Sequence, residues 1–232
     1  MDIRMGRPLS RCQVCGRWPA TPVCHGCLRR FGMAVPRCPC CAHRLPPGTD
    51  GALPCGRCLR HPPALRACCG VVDYAYPWHT LVARFKFQGE PAWARFMAEL
   101  AWQRAEVRQA LAQADTVLPI PLSPARLASR GYNQAWELAK ALGAGHVLSD
   151  GLSKLGDGPD QIRLSRADRL RHARQSLAVT PRHQAALRGR HVLVVDDVMT
   201  TGATLNAAAE VLLRAGVASV SGLAFARTPD GD

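Results

Sequence analysis

At 232 residues and 47% hydrophobic composition, the chain can bury one core of ordinary size plus a small appendage, and it is too short for three domains. No apolar run reaches the roughly 18 residues of a membrane-spanning helix and the opening MDIRMGRPLS has no apolar centre, so neither membrane insertion nor a secretory leader is expected, and the cytoplasm is the expected location. The formal charge of +13 describes a basic surface that points to phosphate or nucleic-acid partners.

From Met1 to about Leu65 the sequence is rich in Cys, Pro, Gly and Arg and has neither a helical nor a strand period, as expected where metal supplies the folding energy. Residues 1–60 hold ten Arg against two Asp, so this appendage is the more basic part of the chain. Cytosolic thiols stay reduced, and eight of the 11 cysteines fall into four CxxC pairs. Cys12, Cys15, Cys24 and Cys27, and then Cys38, Cys41, Cys55 and Cys58, offer two sets of four thiolates. Each set suits a structural Zn2+ with no ligand position open for catalysis, giving one or two zinc ions. The knuckles can pair in sequence or interleave as a cross-brace, and sequential pairing is the favoured arrangement. Cys40 can stand in for a neighbouring ligand, while His25, His43 and His61 are weaker candidates.

The remainder, residues 66–232, alternates strand and helix patterns. Cys68 and Cys69 lead into a strand at Gly70 to Tyr76 that Pro77 ends. Helical spacing covers His79 to Gln88 and Pro91 to about Ala112, with Phe85, Phe87, Trp93, Phe96, Leu100 and Val107 as expected core residues. Thr116 to Pro121 reads as a buried strand closed by prolines, Pro124 to Leu142 as one helix, and His146 to Leu148 as a further strand. Ser153 to Arg174, rich in Arg, Asp and Gly, is expected to be a mobile loop with a short helix from Arg166. His191 to Val195 is an apolar strand, Ala203 to Ala215 a helix capped by Gly216, and Ser219 to Ala226 a last strand. This order implies an α/β domain with a mostly parallel sheet flanked by helices.

Ligands of such sheets bind at the carboxyl ends of strands, where loops lead into helix N-termini. The run Val192 to Leu205, VLVVDDVMTTGATL, has that form: a buried strand, the acids Asp196 and Asp197, and a turn in which Gly202 lets the backbone curl. The amides from about Met199 to Thr204 can converge on a phosphate, and Thr200, Thr201 and Thr204 add hydroxyl donors. A carboxylate at 196 or 197 can accept hydrogen bonds from vicinal ribose hydroxyls, although a bare Asp-Asp before a Thr-Gly turn can also do no more than cap a helix. A second phosphate locus is available at Pro121, Arg126 and Arg130, whose forked guanidinium groups suit phosphate as well as they suit a solvated surface. Asn133 and Gln134 can bond a base or ribose, or can fasten a helix start.

The whole run resembles the signature by which type I phosphoribosyltransferases hold phosphoribosyl pyrophosphate (PRPP). The resemblance implies ribose contacts from Asp196 and Asp197 and a 5-phosphate cradle from Val198, Met199, Thr200, Thr201, Gly202, Ala203 and Thr204. It also implies displacement of pyrophosphate through an oxocarbenium-like state that Asp196, Asp197 and Mg2+ stabilise electrostatically. With Cys55-Gly56-Arg57-Cys58, Phe85-Lys86-Phe87, Arg130-Gly131-Tyr132-Asn133-Gln134 and Asp196 to Gly202 in that order, nearly the whole chain is similar to the ComF (competence protein F) family, whose members join zinc ribbons to a phosphoribosyltransferase domain. That likeness implies a part in DNA uptake or utilisation, or in nucleotide salvage, with single-stranded DNA and DNA-uptake proteins as partners. It adds Gln161, Leu164 and Arg169 as a matching segment, and it departs at His172 and Leu177, where the family carries Asn and Phe. Whether PRPP is turned over, or only held by an adaptor, is left open by these residues.

Overall fold

The structure is a computed structural model that describes residues 10–18, 21–49, 51–143, 145–154 and 176–229. In chain order its elements are α1 (His25–Phe31), α2 (Gly56–Arg60), β1 (Ala67–Asp73), α3 (Trp78–Phe87), α4 (Trp93–Trp102), α5 (Ala105–Gln113), β2 (Thr116–Pro119), α6 (Pro124–Arg130), α7 (Gln134–Ala141), β3 (Leu152–Lys154), β4 (Leu177–Val179), α8 (Pro181–Leu187), β5 (His191–Met199), α9 (Ala203–Arg214) and β6 (Ser219–Arg227). Four strands make a wholly parallel sheet in the order β1-β6-β5-β2, and β3 pairs antiparallel with β4 outside it. The α/β class with a mostly parallel sheet and an N-terminal set of cysteine clusters is the one the sequence implies.

Alternation along β5 explains how both faces are covered. Leu193 and Val195 enter one core with Trp78, Leu81 and Phe85 of α3 and Leu138 of α7, while Val192 and Val194 enter the other with Leu205, Ala208 and Leu212 of α9. Each of the buried Val, Leu and Phe side chains contributes about 1.5–3 kcal/mol of transfer free energy. The cysteine-rich segment is built into these cores: Cys12, Val23, Cys27 and Leu28 belong to the first, and Ala42 and Leu65 to the second. It also covers a sheet edge, since the outward Cys68 amide of β1 donates to Pro39 O at 2.7 Å and Asp73 binds Arg37 and Arg44 at 2.7 and 3.0 Å.

Several elements differ from the sequence reading. The strand expected at Gly70 to Tyr76 lies earlier, because β1 pairs with β6 from Ala67↔Ser221 to Asp73↔Arg227 and the chain then turns away. The single helix expected over Pro91 to Ala112 is two, α4 and α5. Arg104 breaks it, its backbone extended at φ −87°, ψ 125° and its buried side chain donating to Gly32 O at 2.5 Å and Val71 O at 3.4 Å. The helix expected over Pro124 to Leu142 is also two, because Gly131 adopts φ +78° and Asn133 caps a new start. His146 to Leu148 gives a single bridge, Val117↔Val147, rather than a strand of its own. Strand β5 runs past Val195 to Met199, paired with β6 through Asp196↔Ala224 and Val198↔Ala226. Phe87, expected in the core, is 68% exposed. The mobile loop and short helix expected within Ser153 to Arg174 fall almost entirely outside the described residues.

Because Arg104 joins the end of the first cysteine unit to β1 from a buried position, Arg104→Ala is expected to orphan two carbonyls and open a void. Stability should fall by about 2–4 kcal/mol, read from the urea midpoint at unchanged slope.

Candidate functional site

At the carboxyl end of the sheet, β5 carries Asp196 and Asp197 while still hydrogen-bonded to β6, so their backbone is fixed by the ladder. Asp197 turns toward α3, where Lys86 Nζ lies 2.9 Å from its Oδ1, and both side chains are largely buried. Asp196 Oδ1 accepts the Asp197 amide at 2.8 Å. Burial, reinforced by the neighbouring Asp197 carboxylate, pushes the Asp196 carboxyl up to about 8 against the opposing pull of Lys86 and that amide. Near neutral pH Asp196 is therefore mostly protonated, beside the Asp197 that Lys86 contacts. Such a pair offers a bound hydroxyl both carboxyl oxygens that accept and, at Asp196, an O–H that donates.

Beyond Met199 the chain turns through Thr200 and Thr201 into α9. Gly202 is the N-cap with φ +81°, a conformation L side chains rarely adopt, and a Cβ there would lie 3.3 Å from Met199 Sδ. Thr201 Oγ1 accepts the Ala203 amide at 3.3 Å, leaving the following first-turn amides without intrahelical partners by helix geometry. A cavity of about 640 Å3 opens beside this turn, bounded by Thr201, Gly202 and Asn206 on one side and by Cys41, Cys58 and His61 on the other.

The α6–α7 segment stands at the same end of the sheet. Ser123 caps α6 by accepting the Arg126 amide, and Arg126 itself is exposed. Asn133 Oδ1 accepts the amides of Ala135 and Trp136, and its Nδ2 donates to Ile120 O at 3.0 Å. Ile120 N in turn donates to Val195 O at 2.9 Å, the residue before Asp196. Gln134 is buried, accepts from Arg130 Nη1 at 3.0 Å and donates to Tyr132 O. Of the two roles open to Asn133 and Gln134, both side chains are engaged in fastening this helix junction. Tyr132 Oη donates to Phe85 O, and the Arg130 guanidinium lies 5.1 Å from the Phe87 ring centre, so the Phe85-Lys86-Phe87 and Arg130 to Gln134 segments meet beside Asp197. Pro121 is half-buried at the start of this segment, and Arg169, with Gln161, Leu164 and His172, lies outside the described residues.

The sequence reading missed the charge partner of the acids. Lys86 is one of only three lysines among 30 basic residues, and a lysine in so arginine-rich a chain was the available signal.

The eight knuckle cysteines gather as sequential pairing requires: the four Sγ atoms of Cys12, Cys15, Cys24 and Cys27 lie within 4.8 Å of one another, as do those of Cys38, Cys41, Cys55 and Cys58. The two quartets are built alike. In each, the third cysteine is the N-cap of a short helix holding the fourth, and its amide donates to the first cysteine's Sγ at 3.2 Å. At Cys12 and Cys38 burial pushes the thiol up, but the backbone amides around each outweigh it and pull Cys12 down to about 6 and Cys38 down to about 7. Four converging soft donors fit a tetrahedral Zn2+, and each quartet can hold one.

The Asp196 carboxyl keeps a proton in the folded protein that the unfolded chain releases near pH 4, so its contribution to stability is full below that pH and is lost as pH rises toward 8. In zinc-loaded protein, Asp196→Asn is expected to flatten this fall, gaining about 1–2 kcal/mol on wild type between pH 6 and pH 8, measured by urea unfolding at each pH.

Comparison with known proteins places this arrangement. The family model described as the phosphoribosyl transferase domain matches residues 97–231. The chain is 33% identical over 214 residues to the DNA utilization protein YhgH of Salmonella typhi, covering 89% of this chain and 90% of that one. It is 28% identical over 220 residues to the competence protein F of Haemophilus influenzae, covering 88% and 90%. It is also 41% identical over 100 residues to the adenine phosphoribosyltransferase of Mycobacterium marinum, covering 43% and 51%. On the strength of matches that run nearly end to end, this chain belongs to the ComF family of proteins carrying a phosphoribosyl transferase domain.

Proposed function

We propose that the protein is a PRPP-binding phosphoribosyltransferase-type member of the ComF family that acts in DNA uptake and utilisation. The observation that carries this reading is the Asp196-Asp197 pair at the end of β5, charge-balanced by Lys86 and followed directly by the Gly202-capped start of α9. In this reading the ribose hydroxyls of PRPP, or of a related ribose 5-phosphate, bond Asp196 and Asp197. The 5-phosphate rests on the amides and hydroxyls of Val198 to Thr204. Arg126 and Arg130, with Pro121 shaping their loop, receive the pyrophosphate together with Arg169. Asp197 stabilises positive charge developing on the ribose ring, and Asp196, keeping its proton, donates to and accepts from a ribose hydroxyl. Mg2+ bound with the ligand would supply positive charge on the pyrophosphate side.

The cysteine-rich unit, taken as residues 1–65 beside a phosphoribosyltransferase-like 66–232, holds two structural zinc ions and docks the protein to a DNA-uptake partner or to single-stranded DNA. No acid stands between Asp2 and Asp50, which favours a polyanionic partner for this part. In this reading the protein stays in the cytoplasm, where the eight thiols remain reduced for metal, and among the described residues no helix is long and apolar enough to cross a membrane. The second reading, an adaptor that binds PRPP or single-stranded DNA without turnover, is favoured by the engagement of Asn133 and Gln134 within the fold, which leaves fewer groups to orient an acceptor base.

Isothermal titration with PRPP and Mg2+ is expected to give one site, with affinity lowered about 10–100-fold by Asp197→Asn and abolished by the double Asp196→Ala, Asp197→Ala variant. No binding by wild type, or equal binding by the double variant, sinks the reading. Pyrophosphate release with a panel of bases then separates enzyme from adaptor. Elemental mass spectrometry of protein purified without added metal is expected to return about two zinc per chain and about one for Cys58→Ser.

A further inference from the structure

Helix α3 buries Trp78, Leu81, Val82 and Phe85, the i, i+3, i+4, i+7 face of a surface helix. Phe87 lies two positions beyond Phe85, roughly 200° around the axis, and leaves 68% of its surface in water. A large aromatic on the wet side of a short helix loses apolar area for no gain in the fold, which makes it an informative exposure. Its surroundings give the reason. The preceding residue, Lys86, holds Asp197 at 2.9 Å, so the ring stands one residue from the acid pair. The Arg130 guanidinium is 5.1 Å from the ring centre and is itself fixed by Gln134 Oε1 at 3.0 Å. An exposed ring held in place by a planar cation, at the carboxyl end of the sheet, offers its free face as a platform for a flat heterocycle.

We propose that Phe87, steadied by Arg130 on one face of its ring, is the stacking surface for the nucleobase of a nucleoside 5′-monophosphate whose phosphate occupies the turn at Thr200 to Thr204. The inference rests on the ribose-phosphate reading above and adds to it the residue that senses the base. Stacking on a π-face is tolerant of base identity, so the platform accepts purines and pyrimidines and favours the larger ring system. A nucleobase reaches it from a free mononucleotide or from the 5′-terminal residue of a strand, because both present the same base, ribose and phosphate.

The test compares ribose 5-phosphate, AMP and a 5′-phosphorylated trinucleotide by isothermal titration on wild type, Phe87→Ala and Phe87→Trp, with thermal melts to verify folding. Wild type is expected to bind AMP about 5-fold or more tighter than ribose 5-phosphate. Phe87→Ala should erase that difference while leaving ribose 5-phosphate affinity within about 2-fold, and Phe87→Trp should keep it, with indole fluorescence quenched by AMP and not by ribose 5-phosphate. The trinucleotide arm separates the sources: binding no weaker than AMP admits a strand end, and loss of binding restricts the platform to mononucleotides, the Phe87 dependence holding in either case. The proposal is overturned if ribose 5-phosphate binds but AMP gains nothing over it, or if Phe87→Ala keeps the gain. Failure of wild type to bind ribose 5-phosphate at all overturns the underlying reading as well, and is distinguished by that first titration.

Discussion

Two carboxyl groups side by side at the end of a buried parallel strand repel each other and lose solvation, so they persist only where a positive charge or a proton compensates them. Here Lys86 supplies the charge to Asp197 and a retained proton relieves Asp196. That requirement reaches back through the fold. Lys86 arrives at 2.9 Å only because α3 is pinned to the sheet by Trp78, Leu81, Val82 and Phe85. Trp78 in turn donates through its indole to Phe31 O at 2.7 Å, at the end of the helix that carries Cys27. The geometry of the acids thus depends on packing that begins in the cysteine-rich segment.

That segment does three jobs that an apolar core of this size does less well. Its two like-built quartets can draw folding energy from metal coordination instead of buried area. Its first unit contributes Cys12, Val23, Cys27 and Leu28 to the main core. Its second unit lies along β1, the outer strand of the sheet, where Pro39 accepts the Cys68 amide and Cys41 O accepts from Arg227 Nε at 3.3 Å. The opposite edge is covered by residues 146–148, which exchange hydrogen bonds with Val117. Both open edges of a short parallel sheet are thereby shielded from pairing with another chain.

What could be read from the amino acids follows how local the cause is. Strand β5, the turn at Gly202 and helix α9 form one continuous run whose apolar period, acids and glycine each have a local meaning, and the CxxC spacing forecast the quartets for the same reason. The break at Gly131 to Asn133 was legible too, since a helix C-terminal glycine followed by an N-cap asparagine stands in plain view. The break at Arg104 was not, because its partners Gly32 and Val71 are brought in by tertiary packing. Lys86 and Asp197 are likewise far apart in sequence, and the apolar pattern of α3 cannot distinguish Phe85 from Phe87 until the sheet shows which side is covered. Arg169 belongs to a segment outside the described residues, so its place in the site rests on sequence likeness alone.

Strand β5 continues as paired backbone through Asp196 and Val198 before it releases the chain. A loop carrying the same two acids would have to be stilled by each ligand it captured, and part of the binding free energy would be lost in that ordering. Acids clamped into a ladder work as a rigid gauge. Their backbone spacing is set before any ligand arrives, so in the reading proposed above a molecule whose hydroxyls stand at the wrong separation would meet a backbone that does not adapt to it.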